Sequence, residues 1–366
     1  MAAHPTIKET HTFIRTEHLS VRYGATEALV DCSLEIPAQR VTVIIGPSGC
    51  GKSTTLRCIN KLVIPSSGAV LYEDSSLQQV QDTALRRKIG YAIQSVGLMP
   101  HMTVEENIAL VPRLLGWTRD TQSARVTELL RLVRLDVQSY RKKYPSQLSG
   151  GEAQRVGVAR ALGADPPVLL MDEPFGAVDP LTREQLQDEF IRIQRQLKKT
   201  VVFVTHDIDE AVRLADYLVI MKDGAIVQSD TPEQILAQPA NSFVEQFLGP
   251  DRALKRLSLF TADHFLEEPL TGEHDRAAQA LTACDNRCYW QLDETGRPLA
   301  GYTYTAEKLI RREIIGEQHT VREWASLKEC MATMLNLGFP AITVVDDLGR
   351  VMGEVRFETI QRISIA

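Results

Sequence analysis

A short, wholly apolar run, VTVII at 41–45, is followed at once by GPSGCGKST at 46–54 and then by a helical pattern, TTLRCINKL. This junction restricts the fold more than any other part of the chain. Apolar, largely β-branched residues in an unbroken run suit a strand buried on both faces, as in the middle of a parallel sheet. The residues that follow satisfy G-x-x-x-x-G-K-[ST] in the context that gives this motif its meaning, between such a strand and a helix. Gly46, Gly49 and Gly51 let the backbone curl into a nest of inward amides, with Ser48, Cys50 and Thr54 completing the cradle. Lys52 then reaches the terminal phosphates, and the Ser53 hydroxyl binds Mg²⁺. The stretch predicts a nucleoside-triphosphate site.

Two further buried runs, PVLLMDE at 167–173 and TVVFVTH at 200–206, each follow a helical segment, so a parallel sheet with crossover helices is the economical fold. Up to about residue 40, alternating apolar residues broken by turns predict antiparallel strands. Helical periods dominate between about 95 and 150, forming an α insert. The texture changes after residue 249, where LGPDRALKRL reads as a linker. We therefore expect an α/β domain over 1–249 and a smaller α+β domain over 250–366. The second domain carries a faint repeat, CYWQLDETGRPLAGYTYTAEKLI at 288–310 against AITVVDDLGRVMGEVRFETIQRI at 341–363. Each copy predicts a strand, an acidic turn ending in Gly-Arg, a second strand and a helix, preceded by another helix (AAQALTAC, ASLKECMATML).

The net charge of -6 gives no support for nucleic acid as a partner, and 44% hydrophobic with 24% charged residues is a soluble globular profile. Six scattered cysteines point to a reducing compartment; Cys284 and Cys288 lie four apart but lack a second Cys or His pair for zinc, and read as structural. The start MAAHPTIKETHTFIR has no signal-peptide core, and no apolar run is long enough to span a bilayer. A cytosolic protein is expected, unless another chain holds it at a membrane.

Asp172 and Glu173 close the second buried run, at the strand end where open α/β sheets present their ligands. Asp172 is the expected metal ligand and Glu173 the base for an attacking water. His206 ends the third run, placed to reach a γ-phosphate. Gln94, in YAIQSVG, stands at the entry to the helical insert, where it can report metal occupancy. Tyr23, in VRYG, is an aromatic able to stack on a base, and local sequence suits a core or turn tyrosine equally. At 148–155 the chain reads LSGGEAQR, with Ser149 and Glu152 forming a capping box, so a helix begins at Ser149. Gly150 and Gly151 leave its first amides uncovered, which makes a ready anion site, although on this stretch alone an ordinary capped helix is the favoured reading.

In this order, the phosphate loop, Gln94, LSGGE, the Asp-Glu pair and His206 resemble the ATP-binding-cassette (ABC) ATPases over roughly residues 13–248. The resemblance implies a P-loop ABC fold, with a parallel core sheet, an antiparallel β subdomain and an α-helical insert. It implies ATP and Mg²⁺ as cofactors, Tyr23 as the adenine-stacking residue and Gln94 as the Q-loop glutamine, a metal and catalytic residue. It also implies Glu173 as catalytic base, Asp179 as the D-loop acid and His206 as the switch histidine. Ser149 and Gly151 would complete the site of a second copy in a head-to-tail homodimer. Two departures, Val178 in GAVD and PAQR at 37–40, touch no phosphate ligand. The stretches 96–117 and 186–236 are similar to the bacterial uptake ATPases for glycine betaine and related quaternary amines. That branch implies permease subunits docked on the helical insert, an extracytoplasmic binding protein, and a peripheral position on the cytoplasmic face of the membrane. An importer of another small solute such as an amino acid, or a soluble non-transport ATPase, are the competing functions. The C-terminal repeat resembles tandem CBS modules in degenerate form: where such modules carry the Thr or Ser and the Asp that bind adenosine ligands, this chain has Arg356 and Thr359 in one copy and Tyr304 and Glu307 in the other, which argues against a nucleotide ligand and leaves ionic-strength sensing or dimer support as its regulatory roles.

Overall fold

The computed structural model describes residues 12–73, 75–77, 80–93, 97–176, 178–273, 277, 281, 287–305, 308–314 and 316–365. Two compact units divide the chain, Met1–Ile235 with Pro239–Phe247, and Leu236–Gln238 with Leu248–Ala366.

In the larger unit, β1 (Thr12–Tyr23) and β2 (Thr26–Pro37) form a long antiparallel hairpin, which β4 (Ser67–Tyr72) and β5 (Ser75–Ser76) extend in the order β2-β1-β4-β5. Ile14, Leu19, Val21, Leu34 and Ile36 are buried on one face while polar neighbours face outward, the alternation of a half-solvated sheet. A second sheet has the order β10-β9-β3-β8-β7-β6. It comprises β3 (Val41–Ile45), β6 (Ile89–Ala92), β7 (Val168–Asp172), β8 (Thr200–Val204), β9 (Tyr217–Lys222) and β10 (Ala225–Asp230). Its pairings are parallel except that of β9 with β10. Every residue of β3, β7 and β8 is buried, as expected for strands covered on both faces.

The helices that bear on the site are α1 (Lys52–Ile59) after the glycine-rich loop, α2 (Asp82–Lys88), the insert helices α3 (Val104–Ile108), α4 (Leu110–Leu114), α5 (Arg119–Leu132) and α6 (Val137–Tyr140), then α7 (Gly150–Ala161), α8 (Pro180–Leu197) and α9 (Ile208–Leu214). Thr103, Thr118 and Asp136 cap the starts of α3, α5 and α6 with their side-chain oxygens. Inside the insert, the fully buried Asn107 accepts from the Met99 amide at 2.8 Å and donates to the carbonyls of Met99, Met102 and Thr103. A buried amide satisfied in this way fixes the chain at 99–103, just beyond the Q-loop position.

The smaller unit holds two sheets. One has the order β11 (Leu270–Thr271), β12 (Tyr289–Leu292), β13 (Pro298–Thr305), β14 (Lys308–Glu313); the other has β15 (Val321–Arg322), β16 (Ala341–Val345), β17 (Val351–Arg356). The repeat is plain at the two hairpin turns. Asp293 accepts from the amides of Thr295 and Arg297, and Asp346 from those of Leu348 and Arg350, all at 2.8–2.9 Å. These bonds favour the ionised carboxylates and hold both below the usual aspartate range. The two turns meet, with Val351 N donating to Gly296 O at 3.0 Å and Arg297 Nε to Leu348 O at 2.9 Å.

The repeat fails at its ends. The second copy closes with the expected helix, Phe357–Ile365, but the first closes with strand β14, paired antiparallel to β13 from Thr305↔Lys308 onward. Leu309, Ile310 and Ile314 have a spacing that reads as helical, yet the Thr- and Tyr-rich β13 favours continued pairing through a two-residue connection. Of the expected helix before the first copy, Ala277 and Leu281 are helical and the rest lies outside the described residues, as does Cys284. Cys288 is fully buried, and burial pushes its thiol far up.

At the positions read from the CBS resemblance, Arg356 Nη1 pairs with Glu267 Oε2 at 2.6 Å, and Thr359 Oγ1 donates to Glu267 Oε1 at 2.6 Å. Glu307 and the side chain of Tyr304 lie outside the described residues. Arg356 Nε also donates to Glu354, which is 0% exposed and accepts from Trp290 Nε1 at 2.8 Å. Removing Glu354 would strand the fully buried indole N–H of Trp290 and leave Arg356 with Glu267 as its remaining carboxylate. Glu354→Ala is therefore expected to lower unfolding free energy by about 3 kcal/mol in denaturant titration, and a loss below about 1 kcal/mol would show the cluster to be solvated.

Candidate functional site

The register of the central sheet assembles the site. Ile44 of β3 and Asp172 of β7 both lie beside Val204 of β8. Gly46, Glu173 and His206 therefore leave the same sheet edge within one or two residues of a common rung. His206 does not end its strand, as the sequence suggested; β8 stops at Val204. Thr205 then bonds the Ile44 carbonyl and its hydroxyl accepts from Asp207 N at 3.1 Å, which turns the chain so that His206 stands out from the edge.

Between β3 and α1 the loop closes tightly. A Cβ on Gly46 would lie 2.2 Å from the Met221 carbonyl oxygen, and one on Gly51 (φ +103°) would lie 2.6 Å from the Ala28 carbonyl oxygen, so only glycine fits at either place. Ser48 and Gly49 are exposed at the tip, and Cys50 is buried beneath them. Burial raises the Cys50 thiol despite the adjacent Lys52. Lys52 Nζ donates to the carbonyls of Gly46 at 2.8 Å and Pro47 at 3.0 Å, which holds the ammonium over the loop. Lys52, Ser53 and Thr54 form the first turn of α1, whose amides have no carbonyl partner within the helix and suit an anion.

Ser53 Oγ donates to Asp172 Oδ1 at 2.9 Å. Burial, followed by the charge of Glu173, raises the Asp172 carboxyl, while the bond from Ser53 opposes the shift. A hydroxyl and a desolvated carboxylate oxygen in contact form a hard oxygen donor pair, which fits Mg²⁺. A divalent cation there would relieve the carboxylate of its neighbour's charge. Gln94, the third expected metal contact, lies outside the described residues.

Glu173 Oε2 lies 3.3 Å from His206 Nδ1, with the imidazole 60% exposed and the carboxylate 21% exposed. The Glu173 backbone has φ +46°, a left-handed conformation costing about 1–2 kcal/mol for a residue with a Cβ. Its amide donates to the Val204 carbonyl at 2.9 Å, which helps hold the strained turn. The one local signal of this strain is Pro174, which disfavours the right-handed helical region for the residue before it. Asp179 caps α8, accepting from Thr182 N at 3.0 Å.

Ser149 caps α7 as the sequence predicted. Its hydroxyl accepts from Glu152 N, and its amide donates to Glu152 Oε2 at 2.7 Å. Tyr140 also donates to Glu152, and these bonds keep the glutamate below its usual range. Gly150 faces open space, whereas a Cβ on Gly151 would meet Thr182 at 2.8 Å, so the first turns of α7 and α8 lie side by side. Tyr23, at the end of β1, is 50% exposed.

The residues thus form two groups: a phosphate cradle with a carboxylate–imidazole pair at one sheet edge, and an exposed helix start beside the cap of α8. Reasoning from sequence missed the strain at Glu173 and the contact between α7 and α8. Among the described residues, no helix is long and apolar enough to cross a membrane.

Known proteins resemble this chain over most of its length. The sequence profile of the ABC transporter family matches residues 29–176. The osmoprotectant import ATP-binding protein OsmV of Salmonella typhimurium is 42% identical over 340 residues, spanning 90% of this chain and 89% of that protein. The glycine betaine/carnitine/choline transport ATP-binding protein OpuCA of Bacillus subtilis is 41% identical over 356 residues, spanning 93% of each. Among solved structures, the dimeric post-hydrolysis state of the ATP-binding cassette MJ0796 bound to ADP and Pi matches at a TM-score of 0.54 and 32% identity, over 60% of this chain and 98% of that one. A phosphate cradle at the edge of this sheet, together with relatives matched along most of their length, places the chain among the ATP-binding subunits of ABC transporters, which are P-loop ATPases.

Proposed function

We propose that the chain is the ATP-hydrolysing subunit of an importer for glycine betaine or a related quaternary-amine osmoprotectant. It works as a pair of copies bound to permease subunits through the helical insert, on the cytoplasmic face of the membrane, with an extracytoplasmic binding protein supplying the solute. The observation that carries the chemistry is the shared edge, where Glu173 and His206 lie 3.3 Å apart just beyond the ends of β7 and β8, at the edge from which the Lys52 loop leaves β3. The substrate class rests on the names of the full-length relatives.

In this reading the amides of residues 49–54 and the Lys52 ammonium hold the triphosphate, and Tyr23 stacks on the adenine. Ser53, Asp172 and Gln94 would hold Mg²⁺, which supplies neutralisation of charge on the β- and γ-phosphates. Glu173 takes the proton of the attacking water, and His206 orients beside it toward the γ-phosphate. Ser149, Gly150 and Gly151 of one copy, with Asp179, close over the triphosphate held by the other. Closure then depends on the terminal phosphate, so hydrolysis loosens the pair and moves whatever is docked on the insert.

The test is ATPase activity of the assembled transporter in vesicles with its binding protein. Glycine betaine should raise turnover severalfold, whereas an amino acid should not. Stimulation by an amino acid alone would reassign the solute while leaving the motor in place.

A further inference from the structure

Helices α8 and α9 are joined by a ladder of polar side chains. Arg183 and Gln187 are one turn apart on α8; Asp207 caps α9, with Glu210 and Arg213 following at successive turns. Gln187 Nε2 donates to the buried Glu210 at 3.1 Å, and Arg213 donates to Gln187 Oε1 at 3.0 Å and Asp188 at 2.6 Å. These rungs lie away from the nucleotide edge. The rung nearest that edge is different. Arg183 Nη1 lies 3.5 Å from Asp207 Oδ2, and Nη2 donates to the Val178 carbonyl at 3.1 Å. Its Nε is buried without a hydrogen-bond partner, so the guanidinium holds this place at the expense of one unmet donor.

One rigid fork therefore grips the residue after His206 and the residue before Asp179. The other oxygen of Asp207 is already committed, accepting from Glu210 N at 3.1 Å, which leaves its carboxylate little freedom to follow a moving loop. We propose that Arg183 is a positioning residue that sets the spacing between His206, at the γ-phosphate of its own site, and Asp179, at the site shared with the second copy. The inference rests on the roles given above to those two residues. The planar guanidinium suits this task because it makes two directed bonds from one group, whereas a lysine ammonium on a flexible stem holds neither partner at a fixed angle.

The test uses the full-length chain and compares Arg183→Ala and Arg183→Lys with Gln187→Ala, which breaks the next rung. Arg183→Ala should lower kcat roughly 10- to 100-fold, the penalty of misplacing a reacting group by about 1 Å, with KM for ATP nearly unchanged. Arg183→Lys should recover part of kcat. Gln187→Ala should lower the melting temperature and leave kcat near that of the parent. Normal turnover in Arg183→Ala would overturn the proposal, as would a parallel loss of melting temperature and kcat in both rungs, which would assign Arg183 to the fold alone. Glu173→Gln is run beside them; if it too turns over normally, the failure belongs to the reading of the site and not to Arg183.

Discussion

Glu173→Gln should bind ATP normally, lose roughly 10²- to 10⁴-fold in turnover and accumulate as an ATP-bound dimer. The substitution keeps shape and removes the proton acceptor. Nothing else in the cradle is touched, since Lys52 is held by loop carbonyls and Ser53 by Asp172. The left-handed backbone at this position is met equally by glutamine, so the turn should persist. With hydrolysis blocked, the event that opens the pair is removed. Single-turnover kinetics together with size-exclusion chromatography in ATP read both effects. Turnover within about threefold of the parent would remove Glu173 from the role of base.

Ser149→Arg should abolish that dimer while leaving ATP bound to the single chain. Ser149 is exposed at the start of α7 and contributes nothing to the cradle of its own chain in the geometry described above. Arginine replaces the cap hydroxyl, a change worth about 1 kcal/mol of helix stability. On the proposed reading it also places a long side chain where the second copy's triphosphate enters. Ser149→Ala separates the two effects, since it loses the cap without the bulk. In the Glu173→Gln background, chromatography with ATP should show dimer for Ser149→Ala and monomer for Ser149→Arg. A persistent ATP-bound dimer in the arginine variant would mean that this helix start does not face a phosphate.

Much of this site was legible in the sequence because its parts are local. The run VTVII, the glycine spacing and the Ser149/Glu152 box each fix their own backbone within a few residues, and the structure holds β3, α1 and the start of α7 where those signals place them. What was not legible depends on partners far along the chain. Gly46 is required by the Met221 carbonyl, and the approach of Gly151 to Thr182 joins segments with no common pattern. The bond from Arg183 to Asp207 likewise becomes visible only when α8 and α9 are packed. The first C-terminal repeat misled for the opposite reason. Its local spacing favoured a helix, and pairing with β13 prevailed.

The left-handed turn at Glu173 sets two selective pressures against each other. Glycine or asparagine would relax the main chain at that position, and either would discard the carboxylate. Any programme that enriches variants for heat resistance without assaying turnover will drift toward inert proteins at this one residue, so a stabilised form of the subunit has to draw its gains from elsewhere in the chain.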